Sequence, residues 1–380
     1  KQKPGPTCDA GPGFLNLKFM NKGTETSTIK QFSGEKVKDE PPVRQLQPGK
    51  VVNDTPCFTA KTANEWIAEA MTRPIPKKLF GELVIEEEIT VLFASTNVGK
   101  SILAVQIGQA IASGQSIKEF PTDREGRKVL FFDFELSARQ FARRYTQDDG
   151  THFNTPFQFS QNFIRLENGY AMPAPGEDLT DYYIRSIKKE IERHAAQVVI
   201  IDNLTWINSK LEKSRDAAPF MQQLAMMKRD LGLTLILISH TPKRDASRPL
   251  DITDLAGSSM VGNFLDAALA IGRSRKDPGL RYLKQVKVRD GEAILNEENV
   301  AVFHLEKQSN FLGFNFRSYD PEKDHLKEQS DEDRADIENR IIELRGEGKS
   351  FRAIGDELGV SHMKVKRIAE KNDAKNDFPF

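Results

Sequence analysis

Residues 94–101 read Ala-Ser-Thr-Asn-Val-Gly-Lys-Ser. The spacing is that of a phosphate-binding loop, Gly-x-x-x-x-Gly-Lys-Ser/Thr, with Ala94 in place of the first glycine. In such a loop the backbone from Ala94 through Ser95, Thr96, Asn97, Val98, Gly99, Lys100, Ser101 and Ile102 wraps phosphate. Its N–H groups and the positive end of the next helix face the anion. Lys100 reaches the β/γ-phosphates and the Ser101 hydroxyl ligates Mg²⁺, so ATP and Mg²⁺ are the expected cofactors. Ala94 brings a Cβ that would clash if the turn needed positive φ there. Gly99, where backbone approaches phosphate most closely, is intact.

Four further segments carry groups that phosphate cleavage requires. Val198-Val199-Ile200-Ile201-Asp202 reads as a buried strand delivering a carboxylate to Mg²⁺; the alternative is an Asp that caps a turn. In Phe132-Asp133-Phe134-Glu135, strand alternation puts both carboxylates on one side. Either can orient the attacking water. Glu135 is preferred because it stands at the strand exit, with Asp133 the competitor. Both also suit a simpler role, carboxylates at a helix N-terminus. Ser239-His240 ends another apolar strand, where His240 can contact the γ-phosphate or serve a purely structural purpose. Lys287 and Arg289 share one strand face. An arginine from a neighbouring subunit can stabilise charge on a transferring phosphoryl group. Spacing alone favours a solvated edge strand instead.

These residues need a scaffold, and the apolar periodicity supplies one. Strands are expected near 89–94, 128–134, 197–202, 233–239 and 266–272, with helices at 101–113, 137–146, 179–195 and 216–231. The alternation predicts an α/β fold: a mostly parallel sheet flanked by helices. Arg281–Val288 and Val300–Leu305 add antiparallel strands at one edge. A helix over Ala63–Met71 precedes the core. The expected organisation is a tail or interaction arm over 1–60, an ATPase domain over 61–317, and a charged linker over 318–334. A small all-α unit follows over 335–372, then a frayed tail over 373–380.

Composition sets outer bounds. The chain has 380 residues with 55 basic and 55 acidic side chains, a zero net charge that leaves local basic patches possible. Cys8 and Cys57 lie outside any metal-ligand spacing and suggest a reducing compartment. The longest apolar run, Leu233–Ile238, is strand-length, so no membrane partner and a cytoplasmic location are expected.

Over residues 64–305 the chain resembles the RecA-like ATPase core, and within it the plasmid RepA type of hexameric replicative helicase and its AAA-ATPase relatives on mobile elements. The resemblance rests on Ala94–Ser101, Phe132-Asp133-Phe134-Glu135-Leu136, Val198–Asp202, Ser239-His240-Thr241, Ala256-Gly257-Ser258-Ser259 and Lys287-Val288-Arg289-Asp290-Gly291. It implies that Glu135 activates water and that His240 senses the γ-phosphate. It also implies that Lys287 and Arg289 reach the ATP of an adjacent subunit in a homo-hexamer, and that the Gly-Ser-Ser segment opens a helix near the ring channel.

Two segments suggest DNA. The loop Thr241–Asp254 carries Lys243, Arg244 and Arg248, which could hold phosphates of a single strand or merely decorate a surface loop. In the last unit, Ile337, Ile341, Ile342 and Leu344, then Phe351, Ile354 and Leu358, then Val365 and Ile368, form the apolar faces of three short helices. Ser350 and Ser361 are N-caps. Ser361, His362, Lys364, Lys366 and Arg367 would meet duplex DNA from the third helix, a helix-turn-helix arrangement. The stretch Glu343–Ser361 resembles helix-turn-helix units of resolvases and sigma-like regulators. A protein-interaction module is the alternative.

Overall fold

A computed structural model describes residues 58–169, 172–207, 214–242, 244–256, 258–327, 331–358 and 360–376. Most of the tail expected over 1–60 and position 243 therefore lie outside the described residues, as do Gly257 and the side chains of Ser258 and Ser259.

The chain divides into two units at Ala68. In the first, the Thr62 N–H and hydroxyl both donate to Glu65 and start α1 (Ala63–Met71). The second unit begins with a small hairpin, β1 (Lys78–Phe80) and β2 (Val84–Ile85), and then enters the core. The succession is β3 (Ile89–Ala94), α2 (Lys100–Ser113), β4 (Val129–Asp133), α3 (Ala138–Arg144), β5 (Thr146–Asp148), β6 (Phe153–Pro156) and β7 (Phe163–Glu167). It continues through α4 (Leu179–His194), β8 (Val198–Asp202), α5 (Leu204–Ile207), α6 (Ser214–Leu231), β9 (Thr234–His240), α7 (Ser258–Phe264) and β10 (Ala267–Arg273). Three long antiparallel strands close it: β11 (Leu280–Val288), β12 (Val300–Gln308) and β13 (Phe311–Asp320).

Nine strands form one sheet in the order β13-β12-β11-β10-β3-β9-β8-β4-β7. The six from β10 to β7 run parallel. Strand β3 is buried along its whole length because both faces are covered. Leu92 and Ala94 point to the side packed by Leu103 and Ile107 of α2. Val91 and Phe93 point to the side packed by Ile187 of α4, Leu224 of α6 and Val261 of α7. That is why these strands read as continuous apolar runs.

The register sets what meets at the strand ends. Ala94 pairs with His240, and Asp133 pairs with Asp202. Strand β9 lies between the loop-bearing strand and β8, so His240 stands between the loop and Asp202.

The expected linker needs correction. Strand β13 pairs with β12 as far as Asp320, and a 3₁₀ turn over Glu322–His325 buries both its end residues. Glu322 accepts from the buried Lys284 at 2.7 Å and from the Leu250 N–H at 2.7 Å. A charged residue with such partners is core, although its charge alone suggests solvent-exposed chain. The core thus runs past 317, and of the expected linker residues 328–330 lie outside the described residues.

Three helices follow: α8 (Asp331–Gly346), α9 (Phe351–Leu358) and α10 (His362–Asn376). They bury Ile341, Leu344, Ile354, Val360, Val365 and Ile368 around a cluster of their own; Ile342 is not part of it. Ser350 and Ser361 accept from the Ala353 and Lys364 N–H groups, as N-caps do. A Cβ on Gly355 would come within 2.7 Å of the Val360 carbonyl, so glycine lets the turn before α10 cross α9 closely. Helix α10 extends to Asn376, past the expected end at 372, and residues 377–380 lie outside the described residues.

Candidate nucleotide-binding site

The loop between β3 and α2 has two residues with left-handed backbone, Asn97 at φ 60° and Gly99 at φ 111°. Ala94 is neither: it ends a regular strand, and its Cβ is buried in the core. Replacing glycine by alanine there costs no backbone strain. Gly99 is different, since a Cβ would lie 3.0 Å from the Phe314 ring and its φ disfavours any side chain. Gly99 caps α2 with no side-chain hydrogen bond. The first N–H groups of α2 lack intrahelical partners and are free for an anion.

Lys100 is folded back into the loop. Its Nζ donates to the carbonyls of Ala94 at 2.9 Å and Ser95 at 3.1 Å, and lies 3.2 Å from His240 Nδ1. Burial pushes its pKa down, while Asp202 and Glu135 oppose that shift. Asp202 is buried, with one carboxylate oxygen lacking any hydrogen-bond partner. Burial raises its carboxyl to about 7 despite a hydrogen bond with Ser101, with Glu135 and Asp133 adding repulsion. An orphaned carboxylate oxygen beside a loop hydroxyl fits a hard cation. Ser101 and Asp202 would hold Mg²⁺, which would neutralise phosphate charge when bound.

The two carboxylates after β4 have different surroundings. Asp133 Oδ1 accepts from the Glu135 N–H at 3.1 Å and the Leu136 N–H at 2.9 Å, and Oδ2 pairs with Arg165 Nε at 2.9 Å. Both oxygens are engaged in shaping the turn. The Glu135 side chain is 37% exposed, free to meet a ligand or water. Its oxygen accepts from Asn203 Nδ2 and lies 3.5 Å from His240 Nε2. A hydrogen bond from His240 lowers the Glu135 pKa against the opposing effect of burial, with further help from Lys100 and Arg144. The shift favours the ionised form of Glu135, the form that could orient a water.

The tautomer of His240 follows from its neighbours. An ammonium can only donate, so Nδ1 accepts from Lys100 and Nε2 carries the proton toward Glu135. Asn203 then donates to Glu135, and its 3.0 Å approach to Nε2 is a neighbour contact. Lys100, His240 and Glu135 thus form one polar chain across the strand ends.

Sequence reasoning missed Asn203, Arg144, Arg165, Arg273 and Arg281. Asn203 follows Asp202 directly, a position that could have flagged it. Arg144 has a buried guanidinium nitrogen with no partner and is close enough to bias Glu135. Arg165 lies on β7, which was itself not foreseen. Arg273 and Arg281 donate to loop carbonyls, Asn97 O at 2.7 Å and Val98 O at 3.0 Å.

Lys287 and Arg289 are elsewhere. Lys287 Nζ donates to the Gly262 carbonyl at 2.6 Å, and burial lowers its pKa, with Arg289 adding to the effect. Arg289 pairs with Asp266 at 2.8 Å, and Asp266 also caps the Ile89 N–H that opens β3. Five residues of strand at 3.3 Å each put this end about 16 Å from the loop. Neither cation reaches the phosphate loop of its own chain.

Arg244 and Arg248 both pair with the buried Asp254, at 3.2 and 2.9 Å. Arg244 is largely covered, and Lys243 is outside the described residues. Ser361, just before α10, and His362, Lys366 and Arg367 on it are exposed, and Lys364 is half-buried.

The sequence model of the family described as AAA domain matches residues 54–246, about half of the chain. The chain belongs to that family. Its members are P-loop ATPases, so the domain is of the nucleotide-binding, nucleotide-hydrolysing type, and the mixed sheet flanked by helices fits a RecA-like core. A solved KaiC-like protein of the archaeon Pyrococcus horikoshii OT3 is similar in structure at a TM-score of 0.43 and 16% identity, covering 64% of this chain and 98% of that one. No curated protein matches the chain. Among the described residues, no helix is long and apolar enough to cross a membrane.

Proposed function

We propose that this protein hydrolyses ATP in a homo-oligomer and acts on DNA, as a RecA-like motor in plasmid or mobile-element replication. The observation that carries the reading is the contact chain Lys100–His240–Glu135, which links the phosphate lysine to the water-orienting carboxylate. Ser101 and Asp202 hold Mg²⁺, loop amides and Lys100 hold the phosphates, and Glu135 orients water. In this reading Arg289, too far from its own loop, completes the site of the next subunit of a hexamer. Exposed His362, Lys366 and Arg367, with Ser361 at the start of α10, support a helix-turn-helix reading of the last three helices.

One observation favours a second reading. Arg244 and Arg248 share the carboxylate of Asp254, which ties both down and weakens the loop after β9 as a single-strand track. An ATP-switched DNA-binding regulator needs no such track. ATPase rates with and without single-stranded DNA, followed by strand displacement, separate the two. Stimulation and unwinding support the motor. ATP-dependent duplex binding with neither supports the switch, and no ATPase in any condition defeats both.

A further inference from the structure

Arg273 and Arg281 face each other directly across the β10–β11 ladder. Like charges so placed repel and normally weaken a sheet. Arg281 is only 7% exposed; its Nε donates to Val98 O and its Nη1 to the carbonyls of Pro278 at 2.7 Å and Leu280 at 2.8 Å. Arg273 donates to Asn97 O at 2.7 Å. Neither arginine pairs with a carboxylate among the described residues. Two cations held side by side, with only the more distant charge of Asp277 acting on Arg281, need a compensating purpose.

The planarity of the peptide bond supplies it. In a trans peptide the C=O and the following N–H point in opposite directions. A guanidinium on the Asn97 carbonyl therefore turns the Val98 N–H the other way, and one on the Val98 carbonyl does the same for the Gly99 N–H. The left-handed residues Asn97 and Gly99 bracket these two peptides, so the loop backbone does not fix them by helix or strand hydrogen bonding. Each guanidinium also polarises the peptide it grips, strengthening the opposite N–H as a donor.

We infer that Arg273 and Arg281 are positioning residues that grip the outer face of the phosphate loop and aim the Val98 and Gly99 N–H groups at the polyphosphate of the nucleotide. The inference rests on the ATP-site reading above and assigns two residues that the loop pattern does not contain.

The test is nucleotide binding and amide NMR on the full chain, with ADP and ATP as probes, for wild type, Arg273→Gln, Arg281→Lys and Lys100→Ala. Arg273 is exposed, so its variant keeps the core intact even if an Arg281 variant folds poorly. Losing one charge-assisted, oriented donor weakens both nucleotides about 10- to 100-fold. The NMR pattern is specific. Arg273→Gln diminishes the ADP-induced shift of the Val98 amide, and Arg281→Lys that of the Gly99 amide, a pairing that general loosening would not produce. Folded arginine variants with wild-type affinity and unchanged amide shifts overturn the inference. If they bind normally while Lys100→Ala does not, the nucleotide site stands and the arginine inference alone fails. A wild-type protein that binds no nucleotide defeats the site itself.

Discussion

Lys100 Nζ lies 3.2 Å from His240 Nδ1, although 140 residues separate them in sequence. The contact exists because β9 is the direct neighbour of β3, with His240 opposite Ala94. Lys100 also donates to the loop carbonyls of Ala94 and Ser95. A γ-phosphate that draws Lys100 away would free Nδ1, and the change would reach Glu135 through Nε2. In the proposed function, the histidine would report loop occupancy to Glu135.

His240→Ala should therefore lower kcat by about 10²-fold, the low end of what a positioned proton-handling group contributes. ATP affinity should move little, since the loop amides and Lys100 remain. Steady-state kinetics with a separate binding titration checks the split. An equal loss in both would mark His240 as a ligand-binding or structural residue instead.

The pH behaviour of Asp202 follows from its burial. Its carboxyl stands at about 7, above the ordinary value of 3.8. The folded state then holds this proton more tightly than the unfolded chain. Its contribution to stability is present at low pH and is lost as pH rises toward about 7. Asp202→Asn should raise the Tm of the nucleotide-free protein at about pH 8 and change it little near pH 4. With Mg²⁺ and ATP present the order should reverse at about pH 8, because the ionised carboxylate is then a ligand. Thermal melts at the two pH values, with and without MgATP, test both signs.

Ala94→Gly restores the usual loop pattern, yet the backbone at Ala94 is ordinary strand. The change should leave ATP affinity unaltered and cost roughly 0.5–1 kcal/mol of stability, the usual penalty of a strand glycine. Tighter ATP binding by this variant would show that the loop is hindered by the alanine.

Arg289→Ala should cut the ATPase rate by about 10³-fold if the arginine acts on a neighbour's nucleotide. Mixing it with Lys100→Ala, which lacks a working loop but keeps Arg289, should restore part of the activity. No recovery on mixing, with both variants folded and oligomeric, would contradict action between subunits.

Much of this site was readable in the sequence because its residues end buried strands. The runs before Ala94, Asp202 and His240 are apolar on both faces, and that pattern located the strands to within a residue or two. What stayed hidden depends on contacts distant in sequence. Strand β7 is a five-residue segment in a long connection, recognisable only once it pairs with β4. Arg165 on it engages Asp133 and leaves Glu135 as the carboxylate open to a ligand. The stretch after Ser318 looked like solvated linker because its charges were counted without partners. Glu322 meets Lys284 from 38 residues away, and only the fold brings them together. Arg244 and Arg248 looked free for the same reason, until Asp254 is seen between them.

The most direct test is the ATPase rate of wild type against Glu135→Gln, with ATP binding measured on both. The wild type should turn over ATP with Mg²⁺. Glu135→Gln should bind ATP normally yet hydrolyse it about 10²- to 10⁴-fold more slowly. A wild type that never hydrolyses ATP, or a Glu135→Gln rate equal to wild type, would contradict the proposed function.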